Sequence, residues 1–362
     1  MPYGLVQQPR FIVDWLQWYK YMGHLKGESI WNGTSSSHTE ESTAVNNVIG
    51  LYPSTQTIVD SINPSVASGY NYQIDSHNMR FPVHNCNIFG VLGHNFGNFN
   101  HSDSDGIHDA MVRFSYYTDG GDWGHAIVTD DIKINAETEN YNYTDIPFNG
   151  FTLRSCDGGT LEQLPRQVGL SLAVSVRNLN PSPNSQLENS AKAGSILWGR
   201  YFDVKSPDVN MVMTIETSSS KYRTRGGNDL VQQNYRQPSW GDGRAWEIYP
   251  EESQLSKLGR SGRRVWSLTF TLEDSELFPE SSSVDYRGSF NSELLSEGKK
   301  LLDDDSFYSS VIHRTGKHLP FIFMPNRNDE NDFAICKFIN NFKFNLIAPN
   351  RYQVSLKFKE VW

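Results

Sequence analysis

The chain has 362 residues and a formal net charge of −9, long enough for two ordinary domains, each with its own core. Acidic and basic residues are interspersed, so no basic field exists to hold a nucleic-acid backbone, and no run of about 18 apolar residues exists to cross a membrane as a helix. Aromatic residues make up 13% of the chain and charged residues 20%, a balance that favours strands and buried contacts between proteins.

In chain order, residues 10–22 come first. Phe11, Trp15, Trp18 and Met22 fall near helical spacing, with Ile12, Leu16 and Tyr19 beside them. The segment fits a short amphipathic helix or an aromatic arm, and deleting residues 1–22 is expected to leave a folded chain that no longer assembles. Residues 26–46 are polar and aperiodic and read as a loop. The apolar run Asn87 to Leu92 reads as a buried central strand. Ala110, Val112, Phe114 and Tyr116 then alternate with other residues at the two-residue period of a half-buried strand. Leu170, Leu172, Val174 and Val176 repeat the pattern. Residues 178–195 form a Pro/Asn/Ser stretch that reads as a loop. Val209, Met211, Met213 and Ile215 alternate again. Residues 217–244, with Arg225-Gly226-Gly227 and little apolar content, read as a third loop.

Trp266, Leu268, Phe270 and Leu272 open the C-terminal strands. Residues 291–303 read as a surface helix capped by Asn291 or Ser292. Pro320 to Met324 and Phe333 to Ile335 read as buried strands. Tyr352, Val354, Leu356 and Phe358 close the chain as a strand with one apolar face. Alternating segments separated by Gly, Pro, Asn and Asp turns argue an all-β fold. The expected architecture is antiparallel β-sandwich (jelly-roll-like) domains with one or two short helices. The expected divisions are an N-terminal arm or helix at 1–30, a β-sandwich at 31–155 and a β-rich assembly domain at 156–362.

The segment Asn100 to Asp109 is the richest in candidate ligands. Asp103, Asp105 and Asp109 surround Gly106, as carboxylates and a turn-forming glycine do at the start of a calcium loop. The glutamate that closes an EF-hand loop is missing, since Phe114 stands at that position. A solvated turn and a structural calcium both fit the segment. His94, His101 and His108 are spaced by seven, which is no recognised ligand spacing. No GxSxG elbow, P-loop or dinucleotide fingerprint occurs, and the acidic residues around Asp119 to Asp131 lie in turns, so no enzymatic activity is expected. Cys86, Cys156 and Cys336 form no CxxC pair and read as buried free thiols of a chain made in a reducing cytoplasm. Trp123, Trp198, Trp240 and Trp246 lie in or beside polar loops, where an aromatic face stacks on a sugar or is buried in a core or interface. Arg225-Gly226-Gly227 and Arg260 to Arg264, with Arg263 and Arg264 leading into a strand, are small basic patches that suit bidentate pairing with carboxylates of a neighbouring subunit or ordinary solvated turns.

Two regions carry a resemblance. Ile88-Phe89-Gly90-Val91-Leu92-Gly93-His94-Asn95, followed by the strand Ala110–Tyr117, resembles the galactose-binding-like jelly roll of many bacteriophage tail proteins. The second region is a C-terminal block: Gly262 to Leu268, His318 to Phe323, Phe333 to Cys336 and Tyr352 to Trp362. With Pro9 to Asp14, it is similar to tail and virion structural proteins of marine double-stranded DNA phages. The resemblance implies a non-enzymatic structural subunit of the tail or baseplate, of the distal-tail or fibre-attachment type. It would lie in the virion and contact further copies in a ring and other tail proteins. Phe11, Trp15, Trp18, Arg263, Arg264, Tyr352 and Trp362 are the expected assembly contacts. No cofactor is expected; a structural calcium, which galactose-binding-like domains often carry in a loop of this kind, is the alternative the resemblance leaves open. The alternative it leaves open is a carbohydrate-binding module that recognises host surface glycans through His94, Asn95 and Trp123.

Overall fold

The structure is a computed structural model. It describes residues 6–22, 29–31, 49–52, 57–58, 72–75, 88–94, 102–103, 106–107, 110–118, 127–128, 132–134, 150–155, 167–176, 192–209, 211–216, 218–234, 263–279, 306–328 and 332–361. The strands begin with β1 (Arg10–Asp14), β2 (Ser29–Trp31), β3 (Thr57–Ile58), β4 (Tyr72–Asp75), β5 (Ile88–His94), β6 (Ser102–Asp103) and β7 (Gly106–Ile107). Next come β8 (Ala110–Thr118), β9 (Ile127–Val128), β10 (Ile132–Ile134), β11 (Gly150–Ser155), β12 (Gln167–Val176), β13 (Lys192–Ala193) and β14 (Ser195–Asp203). The last are β15 (Val212–Glu216), β16 (Ser218–Arg223), β17 (Asp229–Asn234), β18 (Arg263–Glu273), β19 (Phe321–Met324), β20 (Ala334–Phe338), β21 (Lys343–Ala348) and β22 (Arg351–Glu360). Among the described residues, helix is confined to α1 (Trp15–Tyr21), α2 (Asp274–Leu277), a π-helical turn (Tyr308–Ile312) and α3 (His313–Thr315). The fold is all-β and antiparallel, of the sandwich class, with a few short helices.

The chain forms two compact units, one of residues 1–13, 201–239 and 243–362, the other of residues 14–200 and 240–242. The first unit is thus assembled from both ends of the chain, whereas the sequence divisions at 30 and 155 are linear. Its strands run in the order β1-β19-β20-β22-β18-β15, with β21 also on β22. In β18 apolar and polar residues alternate, and Val265, Trp266, Leu268, Phe270 and Leu272 are buried. The side-chain period of two sends Trp266, Phe270, Phe323 and Phe358 to one face. There Phe11 packs against Phe323 at 5.2 Å, Phe307 at 5.4 Å and Phe358 at 5.9 Å between ring centroids. Phe307 leads into the π-helical turn, so the 306–315 segment covers this aromatic face. Rings at these separations and tilts add edge-to-face attraction to the area they bury.

In the second unit, β10-β8-β12-β4-β2 form one sheet with β9 on β8, and β11-β5-β14 form a second run of strands. β12 and β8 pair from Gln167↔Thr118 to Val176↔Ala110. β5 sits between β11 and β14, and Ile88, Val91 and Leu92 are buried there, as a run without polar alternation requires.

Several sequence expectations change in form. Residues 10–22 are a strand followed by a helix. Asp14 makes the break, because its side chain accepts from the Leu16 N–H at 3.1 Å and caps α1, a local bond that competes with extending the strand. Residues 217–244, expected as a loop, contain the β16–β17 hairpin, and residues 26–46 contain β2. Val209 lies in a turn, fully exposed, and the strand starts only at Val212. The helix expected at 291–303 lies outside the described residues.

Candidate assembly surface

Strand β15 is the last strand of its sheet order. It pairs with β18 from Val212↔Ser267 to Glu216↔Arg263. At its end, Glu216 forms an ion pair with Lys359 of β22, across β18. Strand β16 begins two residues later and pairs with β17 alone, in a ladder of its own. Among the described residues, β16 and β17 pair only with each other, as a hairpin arm.

The arm turns at Thr224 to Asn228. Gly227 N–H donates to the Thr224 carbonyl at 3.0 Å, and Asn228 N–H donates to Thr224 Oγ1 at 3.1 Å. Gly227 has φ +85°, a backbone that residues with a Cβ rarely adopt. Cross-strand partners share a face. Tyr222 stands opposite Leu230 on one face; Lys221 and Arg223 stand opposite Val231 and Asp229 on the other. Lys221 Nζ lies 2.7 Å from Asp229 Oδ2 along that second face. Tyr222 is 65% exposed and Leu230 and Val231 are each 60% exposed. An isolated two-stranded hairpin is marginal in water, and this one carries its large apolar side chains outside the core.

The opposite end of the same sheet carries a second exposed apolar group. β18 runs from Arg263, beside the root of the arm, to Glu273, which pairs with Arg351. Its 11 residues at a strand's rise separate the two ends by roughly 35 Å. At the far end, Leu346 is 63% and Ile347 52% exposed, near the turn that joins β21 to β22. α2 abuts this turn through Asp274 N–H, which donates to the Asn350 carbonyl at 3.0 Å. Phe278 locks the two together, its ring 5.2 Å from Phe344 and 5.3 Å from Tyr352.

The expected contact residues fall differently. Phe11, Trp15 and Trp18 are buried inside the protein's own fold. Arg264 is buried too: Nε donates to Glu360 Oε1 at 2.7 Å, Nη1 to Asp332 at 2.8 Å, and the guanidinium lies 4.8 Å over the Trp266 ring. Arg264 therefore finds its carboxylates within its own chain. Arg263 starts β18 half-buried, and Tyr352 is half-buried against Phe278. Trp198 is a core residue of β14. His94 ends β5, and Asp103 pairs with Gly106 across the β6–β7 ladder. Asn95, Asp105, Asp109, Trp123 and Trp362 lie outside the described residues, as do Cys86 and Cys156. Among the described residues, no group of three or more His, Cys, Asp or Glu could hold a metal ion.

Two buried ionisable groups have shifted protonation. Burial pushes the Asp14 carboxyl up to about 7, against hydrogen bonds from the Trp198, Leu16 and Gln17 backbones and the charge of Lys20. Its Oδ2 has no hydrogen-bond partner. Cys336 is a buried free thiol, pushed well above its ordinary value by burial and by Glu360, with Arg264 opposing. A thiol held protonated and out of solvent is a poor nucleophile.

The arm was missed in the sequence because an exposed strand has no hidden face and no apolar alternation. The signal that could have found it is Gly226-Gly227 between two short runs of β-compatible residues. Searched by sequence, the chain matches no family model and no curated protein.

Proposed function

We propose that the protein is a non-enzymatic structural subunit that assembles with further copies of itself, and that its place is the tail or baseplate of a bacteriophage particle. One observation carries the assembly reading: the β16–β17 arm holds Tyr222, Leu230 and Val231 in solvent, away from the core. Tyr222 and Leu230 stand opposite each other on one face of the hairpin, and adjoining exposed apolar groups mark an interaction surface, whereas scattered ones need no explanation. The edge strand β15, with Val212 and Ile215 about half exposed, adds open ladder groups to the same region. The tail placement rests on the resemblance carried by Ile88 to Asn95 and by the C-terminal block. A structural role at a distal-tail or fibre-attachment position needs no catalytic constellation and no cofactor.

The placement is tested in particles. Virions purified from a culture that carries the gene are treated with antibody raised against this chain and imaged by electron microscopy. Labelling at one fixed position on the tail is expected. A chain that is made in the cells yet absent from the purified particles contradicts the placement.

A further inference from the structure

We infer that copies of this chain join head to tail, the β16–β17 arm of one copy seating on the β21–β22 turn and α2 of the next. The inference rests on the assembly reading above and names the two surfaces that carry it.

Position makes the two surfaces separate. The arm leaves the sheet where Glu216 pairs with Arg263; the acceptor lies where Glu273 pairs with Arg351, at the other end of β18. A contact between them in two copies is heterologous: each copy offers one surface and receives on the other. Repetition closes a ring when the rotation allows it and otherwise gives a filament.

Chemistry makes the two surfaces fit. Both expose large apolar side chains, the cross-strand pair Tyr222 and Leu230 on one face of the arm and Leu346 and Ile347 on the acceptor. Their charges are opposite. The arm has Lys221, Arg223 and Arg225 against Asp229, net +2 on a chain of −9. Around the acceptor stand Asp208, Glu273, Asp274 and Glu276 against Lys205 and Arg351, net −2. Lys205 is already paired with Glu276. Asp208 accepts from the Thr271 hydroxyl, two residues before Glu273 on β18. Opposite potentials favour the arm–acceptor encounter and disfavour arm against arm. A second copy is therefore the partner whose surface answers the arm in both respects.

Two variants of the full-length chain test this. Tyr222→Asp with Leu230→Asp disables the arm and leaves the acceptor; Leu346→Asp with Ile347→Asp does the reverse. Both pairs are solvent-facing, and thermal melts check that each variant is folded. Arg223→Glu with Arg225→Glu is a second arm variant should the first fail to fold. Sedimentation velocity is run on each alone and on an equimolar mixture. Each variant alone is expected as a monomer, with self-association weakened by about tenfold or more, a loss of about 1.4 kcal/mol. The mixture is expected to form a one-to-one dimer that grows no further, because it holds one intact arm and one intact acceptor. Folded variants that still assemble like the wild type overturn the docking and leave the assembly reading standing. Monomeric variants whose mixture stays monomeric also overturn it, since an intact arm and an intact acceptor then fail to join; an acceptor variant that still self-associates points to arm–arm contacts and overturns it too. A wild type that stays monomeric overturns both.

Discussion

Asp14 couples a single carboxyl to pH. Its value rises from 3.8 to about 7 in the folded state, driven first by burial. Between those values the folded protein holds a proton that the unfolded chain releases, so stability falls as pH rises through that window and levels off above it. Asp14→Asn keeps an oxygen for the Leu16 and Trp198 N–H groups and removes the titration. Urea melts at about pH 5 and about pH 8 are expected to show a marked loss for the wild type and a smaller one for the variant. Equal losses in both would show that another group sets the dependence. The buried pair Arg264–Glu360 gives a second residue-scale outcome. Arg264→Met leaves Glu360 buried without its cation and is expected to cost about 3 kcal/mol or more, read as a lower melting temperature. The sequence shows Arg264 as one of two adjacent arginines leading into a strand. Its carboxylates lie 68 and 96 residues away, beyond the reach of local pattern.

At the scale of elements, β1 is a core strand. Phe11, Ile12 and Val13 are buried, and β1 pairs with β19 from Arg10↔Met324 to Ile12↔Ile322. The expectation that residues 1–22 could be removed from a folded chain is corrected by this placement. Deleting them is expected to abolish the cooperative thermal transition, and Phe11→Ala alone to cost about 3–5 kcal/mol. A truncated chain that melts cooperatively at the wild-type temperature would contradict that placement. The arm is the opposite case. Substitutions at Tyr222 or Leu230 are expected to change folding stability within about 0.5 kcal/mol, because both side chains face solvent. Strands with an alternating pattern were legible: the alternations at Ala110–Tyr116, Leu170–Val176, Trp266–Leu272 and Tyr352–Phe358 fall in β8, β12, β18 and β22. The break at Asp14 was not, since the continuous apolar run of β1 and the helical spacing of α1 merge into a single apolar segment.

At the scale of the whole molecule, strand richness was readable and the division of the chain was not. Period-two patterning reports which face of a strand is buried; it carries no information on which distant strand lies beside it. A unit built from residues 1–13 together with residues beyond 200 depends on pairings such as Phe11↔Phe323, whose partners are 312 positions apart in the chain. The candidate surface was hidden for a related reason: its side chains are defined by what they fail to contact. Assembly of the chain with itself is the central claim, and sedimentation velocity of the wild-type protein over a hundredfold range of concentration tests it most directly. Self-assembly predicts species heavier than the monomer, a closed ring or a growing series, that gain population as concentration rises. A single monomer boundary at every concentration would contradict it.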